Sequence, residues 1–495
     1  MKKRIKKIAI VCGILLVSFI TIFTIVAAAE NWSGAREWEA TKVVLEEENI
    51  ELDFRKMIPE MPKPEDNFCA TPLIRSIYEF EHDRTENFED ILSSTGETVY
   101  KNPEIRERFL KMRLPDSDEK PPLPEWSLAL KAELSKTPDI SEILATHEKD
   151  LAGIDAAAMR PVAQLPVDIG DTFVEHVSTV LPHLHDFRDF QKFQTLRACI
   201  ALEAGDTAEA KAALRTLIQI ARSSSSQPTL ISFLVGQTGF SDALSVIWQG
   251  MATNSWSDED LKWIQDELGK QHFLDDLERA LTFEMVTFQI GSADFMKSVS
   301  FRDSRHLVTL IGSMDEEGNS SSSAGILALA IPSGVWDHNK SLGARLMLKH
   351  CILPVRNREV PDDKALLDAL EKTTTRNFLA KISIPDVSSV AIRGYRTNVA
   401  IDLARVACAL ECYQLKAGGY PDTLGALAPE FINKIPGDLM AKGQPLKYKK
   451  GLNGDRYRIY SIGQDGTDDG GEITLRESSK TPRQKTKKGD WVWGY

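Results

Sequence analysis

Residues Ile8 to Ala29 carry no charged side chain and directly follow Lys2, Lys3, Arg4, Lys6 and Lys7. A helix of that length reaches across roughly 30 Å, the thickness of the hydrocarbon layer of a bilayer. Basic residues are retained on the cytoplasmic side of a first span, so everything after Glu30 is expected outside the cytoplasm. The first expected partner is therefore the membrane, through residues 8–29. Ala27-Ala28-Ala29 also satisfies the small-x-small pattern of a signal-peptidase site, and cleavage after Ala29 gives a secreted protein. The apolar stretch is longer than a signal core, which favours a retained anchor.

The 495 residues carry 60 basic and 72 acidic side chains, a net charge of −12 that becomes more negative still once the basic leader is set aside. Nucleic acid is excluded as a partner on this count, because its phosphates demand a basic surface. The length allows several cores. Cys12 lies in the apolar stretch, and Cys69, Cys199, Cys351, Cys408 and Cys412 form no readable disulfide framework. Cys408 and Cys412 share a helix face and read as small buried hydrophobes rather than ligands.

The pattern predicts a mostly α fold: an irregular helical array after the membrane helix, closed by a small C-terminal α+β module in which a long helix lies on an antiparallel sheet. Four regions follow from it: the anchor at 1–29, a helical region with Pro-rich connectors at 30–183, the array at 184–385 and the module at 386–495. Ala35 to Leu52 reads as an amphipathic helix, and Pro59, Pro62 and Pro64 force an extended stretch that drapes over a neighbour. Further helices are expected at Glu104 to Met112 and Trp126 to Leu134, on either side of the breaker run Leu114 to Pro124. In the array, Asp189 to Glu203 and Thr207 to Ala221 join at Gly205-Asp206 like one hairpin of a tetratricopeptide repeat, with no period that recurs. Ser223 to Gln227, Ser320 to Ser323 and Asp315 to Ala324 read as polar breaks, and Ser383 to Pro385 as the end of the array.

In the module, Val399, Leu403, Val406, Leu410 and Tyr413 form one apolar stripe, flanked by the small residues Ala400, Ala404 and Ala407. Gly418-Gly419 and Pro421 stop that helix. Around Gly451 to Gly454 the alternation predicts a hairpin with Leu446, Tyr448, Tyr457 and Ile459 inward and Lys447, Lys449, Arg456 and Arg458 outward. The loop Ser461 to Gly471 holds Asp465, Asp468 and Asp469 among four glycines, a basic insertion covers Arg476 to Lys488, and Asp490 to Trp493 reads as a closing strand.

Taken as an ordered set, ALECYQLKAGGYP, GQPLKY and YRIYSIGQDGTDDGG resemble the globular domain of the major pseudopilin of type II secretion systems over about the last hundred residues. The remainder, including the N-F-x-x-T-P run at Asn67 to Pro72, resembles bacterial membrane-anchored proteins that carry the same C-terminal module. The resemblance implies a bacterial inner-membrane protein, single-pass, with a cytoplasmic N-terminus and a periplasmic bulk. It also implies that the acidic loop binds Ca²⁺ through Asp465, Asp468, Asp469 and Asp490. Closely spaced carboxylates and glycine-permitted turns offer the oxygen ligands that calcium takes, and the alternative is a solvated acidic turn. The chain departs from a filament subunit in two ways. Gly13 is followed by Ile14 to Ser18 with neither the aromatic residue nor the glutamate of a pilin start, and most of the chain separates anchor from module.

No P-loop, dinucleotide fingerprint, nucleophile elbow, HExxH or CxxC pair occurs in the sequence. His183 and His185 diverge if helical, and Glu411 reads as a surface carboxylate paired with Lys416 or a backbone amide. The expected function is a membrane-anchored, extracytoplasmic, non-enzymatic interaction or scaffold protein with an unidentified protein partner. The alternatives are a component of a type II secretion or pilus-like apparatus and a hydrolase of unrecognised type.

Overall fold

The computed structural model describes residues 2–72, 74, 148–166, 182–298, 331–451, 456–472 and 488–493. The expected helices at 104–112 and 126–134, the breaks at 114–124 and 315–324, the serines 320–323, the hairpin tip 452–454 and the basic insertion up to residue 487 lie outside the described residues. The chain is mostly α-helical, with two small antiparallel sheets of two and three strands near its end.

Helix α1 (Lys2–Glu47) is one unbroken helix. From Ile10 to Val26 its first half exposes its large apolar side chains, among them Ile10, Leu15, Phe19, Ile22 and Val26. By length and composition this stretch is apolar enough to cross a membrane. Thr21 and Thr24 donate their hydroxyls to the carbonyls one turn back, at 2.8 Å each, so the helix carries its polar atoms internally. The second half turns inward: Thr41 and Leu45 are fully buried. The amphipathic helix expected from Ala35 is thus present, fused to the anchor without a break at Ala27 to Ala29.

Past α1 the three prolines give an extended path with short 3₁₀ turns, as the sequence requires. That path is pinned to the strap after helix α2 (Glu148–Ala157). Asn67 donates Nδ2 to the Gln164 carbonyl at 2.8 Å and accepts the Gln164 amide at 2.9 Å, while Gln164 donates Nε2 to the Glu60 carbonyl at 2.9 Å. Phe68, Ile74, Ile154 and Leu165 form a small separate core beneath it.

Helices α3 (Pro182–Ala204) and α4 (Thr207–Ser225) form the predicted hairpin. Gly205 adopts φ +76°, the left-handed conformation that ends a helix cheaply only with glycine, and the Asp206 carboxylate caps α4 by accepting the Glu209 amide at 3.0 Å. Ser223 to Ser225 are not a loop. They form the last turn of α4, fully buried, and their hydroxyls return to the carbonyls of Ile220 and Arg222. Serine satisfies itself this way inside a helix and is small enough for helix α5 (Leu230–Ala252) to cross against it: a Cβ on Gly236 would stand 2.4 Å from the Ser225 nitrogen. Helix α5 is long and apolar enough to span a membrane, but half of its most apolar stretch is buried inside the body. Helix α6 (Asp258–Gly269) opens on a capping box between Ser257 and Asp260.

Helix α7 (Phe273–Glu284) continues through a π-helical turn, Met285–Ile290, into α8 (Gly291–Ser298). Helix α9 (Ser333–Met347) likewise continues through the π-helical turn Leu348–Ile352 into the short α10 (Leu353–Arg356), and α11 (Asp363–Glu371) follows. Helix α12 (Phe378–Ala417) is 40 residues long and runs straight through Ser383 to Pro385, where the sequence suggests a break. Proline removes one hydrogen bond there, and the burial of Ala380, Ile384 and Val387 on the same helix offsets that loss. The predicted stripe is buried from Val399 to Leu410, and Gly418, at φ +75°, caps the end by donating its amide to Gln414.

The ribbon β1 (Gly437–Asp438) with β2 (Gln444–Pro445) precedes a three-stranded sheet of β3 (Lys447–Lys449), β4 (Arg458–Ser461) and β5 (Trp491–Val492). Tyr448 pairs with Ile459 and Ser461 with Trp491, which puts Leu446, Ile459 and Trp491 into the core and leaves Arg458 and Lys449 outside as expected. One apolar cluster runs from Leu45 through the array to Trp491, so the module and the array share a core.

Candidate functional site

The acidic loop closes on the end of β5. Gly463, Gly466, Gly470 and Gly471 all have positive φ, between +68° and +78°, and a Cβ at Gly463 would stand 2.3 Å from the Gly489 carbonyl. Asp465 accepts the amide of Thr467 at 3.1 Å on one oxygen and that of Gly489 at 3.0 Å on the other. Asp468 accepts from the Tyr460 hydroxyl at 3.0 Å and the Gly470 amide at 3.1 Å, and pairs with Lys447 at 3.0 Å. That lysine holds the Asp468 carboxyl below its usual range. Asp490 is fully buried and accepts the Gly471 amide at 2.6 Å. Burial pushes its carboxyl up, the amides of Gly471 and Asp469 draw it back, and the charges of Asp468 and Asp469 push it up again. Asp469 is exposed.

The structure therefore brings all four predicted acids to one loop, where they offer oxygen donors only, the set that suits a hard cation. In this conformation backbone amides, the Tyr460 hydroxyl and Lys447 contact the carboxylates of Asp465, Asp468 and Asp490. Among the described residues no three His, Cys, Asp or Glu side chains converge on a common point. A fifth carboxylate, Asp438, escaped the sequence reading. It is buried at the end of β1 and accepts the Met440 amide at 2.9 Å, the Ser461 hydroxyl at 2.7 Å and the Ile462 amide at 3.0 Å, which ties the ribbon to the start of the loop.

Glu411 does not sit on the helix surface. It is buried under the sheet, where the Tyr420 hydroxyl donates to both of its oxygens, at 3.2 and 3.1 Å, and Arg456 approaches to 3.4 Å. Burial raises its pKa, against the pull of Arg456, Tyr420 and Tyr457. Lys416 pairs with Glu430 instead. Arg456 also donates to the Met251 carbonyl and, at 2.7 Å, to Asn254 at the end of α5, so the same network fastens the sheet to the array. Tyr413 rests on Phe431 and Tyr420 on Tyr457, with ring centres 5.2 and 4.8 Å apart. Beside the sheet, a groove of about 700 Å³ opens between Leu424, Ile435, Pro436, Leu439 and Tyr448, with Asp422 and Lys434 in its lining.

The most unusual site lies at the other end of the body, where α1 meets α9. Trp336, Asp337, His338, Asn339, Lys340 and Ser341 are six consecutive residues, all buried. Burying this many polar groups is costly unless each is paired. Asp337 pairs with Lys297 at 2.8 Å and with Lys340 at 3.1 Å, and Lys340 pairs also with Asp294 while its ammonium lies 4.4 Å from the centre of the Trp38 ring. Asn339 donates to the carbonyls of Val335 and Arg376, at 2.8 and 2.7 Å, and accepts the Leu379 amide at 3.1 Å.

Helix α1 crosses this face at backbone contact: a Cβ on Gly34 would stand 2.3 Å from the Gly334 carbonyl oxygen, and one on Gly334 would stand 2.0 Å from that of Glu30. Asn31 accepts the Gly334 amide at 2.8 Å. Glu37 pairs with both His338 and Arg345, and Glu30 pairs with Arg376 at 3.0 Å. The two ring nitrogens of His338 face different carboxylates, so these groups cannot chelate a single ion. Sequence reasoning missed the whole arrangement, for which the only local signal is a polar run, WDHNKS, between Pro332 and Gly343.

Other reactive groups are muted. Burial pushes the thiols of Cys199, Cys351 and Cys412 up to about 12, far from a nucleophilic thiolate, and the same cause raises Cys408 well above the usual thiol range. His183 and His185 lie in the first turns of α3. Comparison of the chain with protein-family models, curated proteins and solved structures returns no match.

Proposed function

We propose that the chain is a membrane-tethered, non-enzymatic interaction or scaffold protein, held in a bacterial inner membrane by residues 8–29 with its body on the periplasmic side. The observation that supports this reading most is the continuity of α1. One helix passes from a fully exposed apolar surface into a body that grips it through Gly34, Glu30 and Glu37, so a spanning segment and a folded domain share one rigid axis. That geometry suits a tether that presents the body at a fixed attitude to the membrane. Two measurements test the proposal together. A periplasm-active reporter joined after Tyr495 is expected to be active, and the protein is expected to stay in the membrane pellet after carbonate extraction. A cytoplasm-active reporter or release by carbonate overturns it. Affinity capture from a native envelope then separates a scaffold from a component of a secretion apparatus, because only the latter brings down filament subunits in stoichiometric amount.

The acidic loop carries a second element of the proposal, that Ca²⁺ stabilises the pseudopilin-like module. Asp465, Asp468, Asp469 and Asp490 would hold it, and the support is the placement of a fully buried Asp490 within reach of two like charges, which a cation would offset.

A further inference from the structure

The junction of α1 and α9 contains one group that can change charge near neutral pH. His338 is 2% exposed, and its Nδ1 faces Glu37 at hydrogen-bond distance. An ionised carboxylate only accepts, so Nδ1 carries the proton. The other nitrogen, Nε2, points at Glu30 with 3.5 Å between Nε2 and Oε1, and among the described residues it has no hydrogen-bond partner. In the neutral ring Nε2 presents a lone pair to a carboxylate oxygen. In the imidazolium it presents an N–H to the same atom. The geometry is therefore incomplete in one protonation state and complete in the other.

We propose that His338 is a proton-operated latch between the membrane helix and the body. Protonation adds a charge-assisted hydrogen bond to Glu30 and converts the Glu37 contact into an ion pair, so α1 docks more tightly when the ring carries its second proton. The carboxylates that face the ring are Glu30 and Glu37 from α1, and the charged groups next to them are Arg345 on α9 and Arg376 ahead of α12. The guanidinium groups of Arg345 and Arg376 already pair with Glu37 and Glu30, while Lys340 and Lys297 are spent on Asp337 and Lys340 also on Asp294. The arginines oppose the added charge: Arg345 takes the Glu37 oxygen that is not on Nδ1, whereas Arg376, at 3.0 Å, shares Oε1 of Glu30 with Nε2, so the new hydrogen bond forms beside an existing ion pair. Because Glu30 closes the apolar stretch, a change at this contact alters the angle at which the body leaves the bilayer. That consequence rests on the membrane-tether reading, whereas the latch itself does not.

The test is hydrogen exchange on the full chain in detergent micelles, at about pH 5.5 and pH 7.5, with intrinsic rates corrected. Amides from Glu30 to Glu47 are expected to be about tenfold better protected at the lower pH, the gain that one charge-assisted hydrogen bond gives. H338Q is expected to lose this pH response. E30Q, which offers the neutral ring a donor in place of the carboxylate, is expected to lose or invert it. Equal protection of the wild type at the two pH values overturns the proposal, as does an undiminished response in E30Q. Failure of the tether reading would appear separately, in the carbonate extraction.

Discussion

Both ends of the body are fastened by buried carboxylates, but with different partners. In the C-terminal module Glu411, Asp438 and Asp490 accept mainly from hydroxyls and backbone amides contributed by the same hundred residues, with Arg456 at 3.4 Å from Glu411 as an added charged partner. At the α1 junction the partners are other charged side chains, and they come from far away: Glu37 and His338 are separated by 301 residues of sequence. An amide donor is fixed by the backbone, so an acid capped by amides and hydroxyls completes a local shape. An ion pair between distant helices fixes one helix on another and loses strength whenever either charge is lost or screened. The module is built to be a shape, and the junction to be a contact that responds to its surroundings.

The junction is where this contrast predicts the largest effect. Asp337→Ala leaves Lys340, 3% exposed, with Asp294 as its remaining carboxylate among the described residues, and removes a partner of Lys297. Taking one member out of a buried pair costs about 3 kcal/mol or more. Thermal unfolding of the full chain in detergent is expected to show that loss, with limited proteolysis cutting first between α1 and α9. A loss below about 1 kcal/mol, the scale of an exposed pair, would place these residues with ordinary surface charges and erase the distinction.

A smaller and opposite response is expected in the module. Burial raises the Glu411 pKa in the folded state, so the uncharged acid is favoured there, and its contribution to stability is greatest at low pH and falls as pH rises from the ordinary glutamate range through the raised value. Glu411→Gln mimics the protonated acid and keeps an acceptor for Tyr420. It should cost about 1 kcal/mol or less at low pH, and the deficit should shrink as pH rises. Unfolding midpoints over a pH series check this, and a deficit that grows with pH would mean that Arg456, not burial, governs the site.

How much of this was legible depended on how local the cause was. The stripe from Val399 to Tyr413, the stop at Gly418, the Gly205-Asp206 joint and the Tyr448 to Ile459 pairing each follow from residues within a few positions of one another, and the structure contains them. Ser223 to Ser225, the passage of α12 through Pro385 and the burial of Glu411 do not. Serine and proline act as breakers only where nothing packs against them, and here α5 and the array do. The WDHNKS run was invisible for the same reason. Amphipathic reading looks for one polar face, and a helix whose buried polar run is held by ion pairs from two other helices, α1 and α8, does not show one. For the candidate site, Asp465, Asp468, Asp469 and Asp490 were named through the pseudopilin resemblance, whereas Asp438 and the α1 junction depend on partners that only folding brings near.

The smallest effect, and the one that sharpens the description of the module, is that of calcium. Extracytoplasmic calcium sites bind at about 10⁻⁴ to 10⁻³ M, so a few millimolar calcium is expected to add about 1 to 2 kcal/mol. In a chain of this size such a gain moves the midpoint by only a few degrees at most. The measurement belongs on the full chain, because the module shares its core with the array and a fragment would expose that face. Asp468 is the informative position: it holds Lys447 at 3.0 Å, so binding a cation there must release the lysine. Asp468→Ala therefore removes both a ligand and the ion pair that stands in its place. The calcium-dependent part of the midpoint should vanish, while the midpoint in chelator should fall only by the fraction of a kcal/mol that an exposed pair contributes. If wild type and Asp468→Ala unfold together with and without calcium, the loop is closed by its amides and Lys447 alone, and the module keeps its shape without any ion.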